Sequence, residues 1–142
     1  MKAASLAFLR VSTGLLLIIW GLIKVAAPDA AIHVSDTYYA GVLSVQSLQT
    51  PLGVAETVLG LLVVLGLFRP IVLPLQALVL VVGAAAIWQY LLDPLGLYLL
   101  TEETRQVLFF PSLGIAAASL VSWAFCDEDR FALDRLLFRK PG

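Results

Sequence analysis

Four long apolar stretches run along this chain, at residues 5–25, 52–68, 71–91 and 107–125, with short polar segments between them. A helix needs about 20 residues to cross the hydrocarbon core of a bilayer. The second stretch is short for that purpose and is expected to extend into the polar residues before Pro51 or to be sheltered by its neighbours. None of the four alternates with the two-residue period of a barrel strand. A helix satisfies its own backbone in lipid, so the pattern predicts four transmembrane helices.

The connections set the topology. Phe68, Arg69 and Pro70 join the second and third stretches so tightly that the two must form an antiparallel hairpin. Pro74 then falls near the first turn of the third helix, where a missing N–H costs little. The first link, residues 26–51, is long and holds Pro28, Asp29, His33, Asp36, Tyr38, Tyr39, Gln46 and Gln49. Part of it is expected to lie on the membrane surface or fold back over the helices. The third link, residues 92–106, holds Asp93, Pro94, Glu102, Glu103 and Arg105. Beyond the fourth stretch, in the tail 127–142, Phe131, Ala132, Leu136 and Phe138 interleave with Asp134, Arg135 and Arg139. That spacing predicts a short amphipathic helix in the headgroup layer. The expected fold is an all-α membrane protein: one domain over residues 1–142, a four-transmembrane-helix bundle with a short C-terminal amphipathic helix.

Composition supports this reading. Apolar residues make up 61% of the 142 positions and charged ones 13%, whereas soluble domains sit near half and a quarter. A soluble domain this small could not hide so much apolar surface. The net charge of −1, without a basic tract, points away from nucleic acid. The single cysteine, Cys126, excludes an intramolecular disulfide or a C-x-x-C redox pair. His33 is the sole histidine, and its two nearby aspartates are too little to predict a metal site. The first stretch follows Lys2 and Arg10 and ends in Val25, Ala26 and Ala27, which resembles a signal peptide. Reading it as a span instead keeps the charge pattern intact. With four spans, one side carries Lys2, Arg10, Arg69, Arg130, Arg135, Arg139 and Lys140, and the other only Lys24 and Arg105. The positive-inside rule makes the first side cytoplasmic, so a cell-membrane protein with both termini in the cytoplasm is expected.

Helices in lipid depend on small residues for close contact. Gly14 and Gly21, Gly53 and Gly60, and the set Gly114, Ala118 and Ser122 each lie on one helical face. They predict a compact bundle and leave a homo-oligomer open.

Charged groups within spans are costly and usually face the bundle interior. Glu56 lies about one turn into the second helix, between Gly53 and Gly60. Lys24, at the same end of the first helix, is its candidate counter-ion. Trp20 shares Lys24's face, and Trp88 and Gln89 approach from the third helix. These five residues are the candidate ligand-binding set. The plainer alternative is a structural ion pair with interfacial tryptophans. At the other end, Arg10 either snorkels to the headgroups or holds carboxy-terminal acids such as Asp134, with Gln76 at similar depth. Arg10, Arg69, Gln76 and Asp134 are read as structural polar residues.

The residues just named resemble the DoxX-like family of small four-helix membrane proteins. Leu9-Arg10, Gly14, Gly21 and Lys24 resemble that family's first helix. Gly53, Glu56, Gly60, Leu65-Gly66-Leu67 and Arg69 resemble its second, and Leu133-Asp134-Arg135-Leu136-Leu137 resembles its ending. One position departs: Trp20 stands where many relatives carry a histidine, so chemistry needing that histidine is not implied. The resemblance implies a place beside redox partners, as in a membrane subunit of a thiosulfate:quinone oxidoreductase or of thiol-stress systems. It equally implies an escort of client proteins. Two functional classes follow: a redox-linked subunit or partner binding a quinone or other small hydrophobic ligand near the outer face, and a non-enzymatic assembly factor, chaperone or anchor. The sequence does not settle whether the chain is catalytic. Its expected partners are membrane lipid and, in the first class, a redox protein.

Overall fold

The structure, a computed structural model, describes residues 1–39, 41 and 45–138. Its described residues form seven α-helices: α1 (Lys2–Ala26), α2 (Pro28–Tyr38), α3 (Gln46–Leu65), α4 (Arg69–Ala86), α5 (Trp88–Leu92), α6 (Pro111–Ala124) and α7 (Leu133–Leu137). Four are long and apolar enough to cross a membrane: α1, α3, α4, and α6 with the 3-10 turn Val107–Phe109 that leads into it.

Burial is inverted relative to a soluble bundle. Along α1, Arg10, Thr13, Gly14, Leu17 and Gly21 are buried, while Leu15, Ile19 and Leu22 are exposed. Gln76, Ser119 and Ser122 are buried in α4 and α6, while Ile71, Leu75, Leu78, Leu113 and Leu120 face outward. Apolar surface covers the outside because the intended solvent is lipid, and polar side chains turn inward, away from it.

α1 packs most extensively against α3, and α4 against α6. The first interface is built on two facing glycine pairs. A Cβ added at Gly60 would lie 2.7 Å from the Gly14 carbonyl oxygen, and one at Gly53 would lie 2.6 Å from that of Gly21. The two seven-residue spacings match because the helices run antiparallel at close approach. The expected small face of α6 holds in part: Ser122 is buried along with Ala116 and Ser119, but a Cβ on Gly114 would meet nothing within 4 Å. α6 therefore packs through a neighbouring stripe. A small apolar core of Val63, Val72 and Leu73, joined by Leu59, Leu62 and Cys126, sits where α3 turns into α4.

Several boundaries differ from the sequence reading. α3 starts at Gln46, so Pro51 sits inside it, and the short second span gains its length from the polar side. The hairpin link is Gly66–Leu67–Phe68 rather than Phe68–Arg69–Pro70, because Gly66 caps α3 in the left-handed conformation at φ 72° and Arg69 opens α4. The Leu67 N–H returns to the Leu62 carbonyl at 3.0 Å, completing a Schellman cap. Pro70 takes the first turn of α4, which puts Pro74 in the second. The third span ends at Ala86; buried Ile87 breaks it, and the chain resumes as α5. The first link contains α2, which packs on α1 and α3. The tail helix is shorter than expected, covering Leu133–Leu137. Arg139 and Lys140 lie outside the described residues.

Candidate functional site

Polar chemistry gathers at both ends of the bundle. The end that carries Met1 and α7 holds, among the described residues, the two most buried ion pairs. Arg10 Nε donates to Asp129 Oδ2 at 2.5 Å, and its Nη1 donates to the carbonyls of Val63, at 2.8 Å, and Val64. Those carbonyls belong to the last turn of α3, where helix geometry leaves acceptors unmet and favours a cation. Arg69 Nε donates to Asp134 at 2.7 Å, and its Nη1 donates to the carbonyls of Cys126 and, at 3.2 Å, Asp129. The Asp134 N–H donates to the Gly66 carbonyl at 3.1 Å. A Cβ on Gly66 would lie 2.7 Å from the Ala132 Cβ, so only glycine lets the tail lie this close. Lys2 pairs with Glu128 at the rim.

Arg10 does hold a carboxy-terminal acid instead of snorkelling, but not the one given as the example. Arg10 holds Asp129 rather than Asp134, and Arg69 takes Asp134, because the 3-10 turn Cys126–Glu128 brings Asp129 under α1. Gln76 does not join them. It is fully buried, and neither amide atom finds a hydrogen-bond partner among the described residues; the same holds for the Ser122 hydroxyl.

At the opposite, loop end, Lys24 Nζ donates to Glu56 Oε2 at 2.6 Å. The ammonium also lies 5.9 Å from the Trp20 ring centroid, within reach of a cation–π attraction. The glycine pair Gly21 and Gly53 stands one turn away on the same two helices and sets the close approach that lets the charges meet. The small and charged positions of α1 and α3 are thus each other's partners: Gly14 faces Gly60, Gly21 faces Gly53, and Lys24 meets Glu56.

Trp88 and Gln89 are placed differently. The break at Ile87 puts them on α5, where both are exposed, Trp88 at 48%. They line an open cleft of about 430 Å³ with Thr37, Tyr38, Tyr39, Ala86, Ile87 and Tyr90, and neither Lys24 nor Glu56 is among its walls. Tyr39 stands on the cleft side of this end. It lines the cleft, and its hydroxyl is pushed above the ordinary tyrosine value by burial and, secondarily, by the charge of Glu56. Tyr38 packs edge-on against Phe109 and Tyr90, at centroid distances of 4.7 and 5.5 Å, and accepts a hydrogen bond from Gln106 at 3.4 Å.

Three contributors escaped the sequence reading: Asp129, Tyr39 and Asp93. Tyr38-Tyr39 stood as an aromatic pair in a polar link, a weak signal. Asp93-Pro94 followed by Gly96 was a turn signal. Among the described residues, no group of three His, Cys, Asp or Glu gathers to hold a metal, and His33 is exposed on α2.

No family model, curated protein or solved structure matches this chain.

Proposed function

We propose that this four-span membrane protein binds a small hydrophobic ligand with a polar ring, of the quinone class, in the cleft at the loop end. The observation that carries the reading is the cleft lining itself, which sets Tyr38, Tyr39, Trp88, Gln89 and Tyr90 around one open space. A ring seated there meets Trp88 and Tyr90 for stacking, and Tyr39 and Gln89 as hydrogen-bond donors. The Lys24–Glu56 pair supplies a polar field at the same end of an apolar bundle. Pockets of this kind, mostly apolar with few polar groups, are ordinary small-molecule sites. The resemblance to DoxX-like proteins supports the same class, since several of those work beside redox partners. We further infer that the termini end faces the cytoplasm, on the excess of Lys and Arg at that end. Reporter fusions after Gly142 and at Phe68 should both read cytoplasmic.

The binding test titrates a short-chain benzoquinone into the full chain in nanodiscs and follows tryptophan fluorescence. Saturable quenching is expected, lost in Trp88→Phe and weakened in Tyr39→Phe. Quenching that only tracks partition into lipid, unchanged in both variants, would overturn the reading and favour a protein-partner role instead.

A further inference from the structure

The segment between α5 and α6 carries apolar surface that neither the ion pair nor the cleft uses. Leu95, Leu97, Tyr98 and Leu99 all point outward, Tyr98 at 87% exposure and Leu97 at 66%. Leu92, Val107 and Leu108 flank them and are exposed as well. A contiguous apolar cluster of this kind marks an interaction surface.

The backbone beneath it is organised by one residue. Asp93 is buried, and its carboxylate accepts the N–H groups of Leu97, Tyr98, Leu99 and Leu100 at 2.8, 2.8, 2.7 and 3.0 Å. Its carbonyl accepts the Gly96 N–H at 3.2 Å. Five consecutive donors are therefore met by a single side chain and its own carbonyl. Arg105 Nη1 reaches back to the Leu95 carbonyl at 3.3 Å. Water would satisfy these donors without any such device. A loop that enters lipid has no water to turn to and must meet its donors internally.

We propose that residues 95–100 form a lipid-inserting tip that seats in the headgroup layer at the loop end of the bundle. The segment lies in the chain between α4 and α6, two candidate membrane spans whose apolar side chains are exposed. Tyr98 in the tip and exposed Trp88 nearby are the residue types enriched at that level. Thr101, Glu102, Glu103, Thr104 and Arg105 are exposed and follow directly. They form a polar stop that limits insertion to about 5–10 Å, the depth of interfacial segments. The contacts of Tyr38 with Phe109 and Gln106 tie the loop to α2, so the seated tip also holds the cleft against the membrane surface.

The test uses the full chain with Cys126→Ser, reconstituted in phosphatidylcholine vesicles. An environment-sensitive fluorophore is attached at Tyr98→Cys, at Leu97→Cys in a second variant, and at Glu102→Cys as the aqueous reference. Quenching is measured with shallow spin-labelled lipid and with iodide on both faces of the vesicle. At positions 97 and 98, lipid quenching several-fold stronger than at 102 is expected, with iodide access correspondingly reduced. Iodide access at 97 and 98 equal to that at 102 would overturn the proposal. Protection from both quenchers would also overturn it, assigning the surface to a second copy of the chain or another protein. Quinone binding is not read in this experiment, so its outcome is separable from that of the cleft.

Discussion

At the termini end, Arg10 and Arg69 direct their guanidinium donors at two carboxylates and at the carbonyls of Val63, Val64, Cys126 and Asp129. At the loop end, Lys24 meets one carboxylate and the face of one tryptophan. Side-chain exposure follows the same division: 4% and 6% for Arg10 and Asp129, against 12% and 22% for Lys24 and Glu56. Arginine's rigid fork suits the crowded end, where several fixed acceptors must be met at once, whereas an ammonium is a point charge on a flexible stem. A buried pair whose guanidinium is divided between a carboxylate and backbone carbonyls holds a structure together and leaves little for a ligand. A half-open pair beside an aromatic cleft still has capacity to interact. The comparison locates stability at one end and candidate chemistry at the other.

The hardest test of that division removes a buried cation. Arg69→Met leaves Asp134 without its counter-ion and takes the guanidinium donor from the Cys126 carbonyl, which keeps only the Asp129 N–H. Breaking a buried pair costs roughly 3–5 kcal/mol, so the variant should lose much of its thermal stability in detergent and release the tail to protease. Ligand retention by whatever protein still folds should be unaffected. A stable variant with a protected tail would show that the termini end is not where the fold is locked.

Gly60→Leu addresses the interface that joins the two ends. The new side chain meets the Gly14 carbonyl and Ile18. Overpacking of this kind costs roughly 1–3 kcal/mol, and both ends should suffer together because the α1–α3 spacing serves both. Gly114→Leu is the matched control and should be neutral in a thermal melt, since nothing lies near that position.

Lys24→Met, Glu56→Gln and the double variant sharpen the comparison at the open end. Their coupling in stability should be on the order of 1 kcal/mol, smaller than that of an Arg10–Asp129 cycle. The double variant should regain stability without regaining quinone quenching. A coupling as large as that of the arginine pair would erase the distinction between the ends.

The smallest expected effect is a titration. Burial first, and Glu56 second, raise the Tyr39 pKa. A tyrosine raised in the folded state is protonated there while the unfolded chain ionises near pH ~10. It therefore adds nothing below that pH, and stability falls as pH rises above it. Glu56→Gln should lower the Tyr39 pKa only partway, since burial remains. An ultraviolet difference titration against Tyr39→Phe measures it, and no movement would separate Tyr39 from the pair.

Much of this molecule was legible in residue spacing. Four apolar runs announced four spans, and the facing seven-residue glycine spacings announced a close pair of helices. Lys24 and Glu56 could be paired on paper because both lie near the same end of adjacent antiparallel helices. Arg10 could not be matched to Asp129 rather than Asp134, since several acids crowd the tail and only the turn at Cys126–Glu128 selects one. Trp88 and Gln89 were misplaced because the apolar run continues through Ile87 while the helix does not.

The pattern of the chain alone thus establishes a lipid-facing four-helix bundle, its hairpin connection and the small faces of α1 and α3. Periodicity and hydrophobicity are local properties, and lipid leaves a backbone few alternatives. Tertiary structure alone decides which carboxylate each arginine holds, where the third span breaks, and that Tyr39, Trp88 and Gln89 line a cleft apart from the Lys24–Glu56 pair. Those outcomes depend on residues distant in sequence meeting at ångström precision, and ion pairs and hydrogen bonds discriminate at that distance while composition does not.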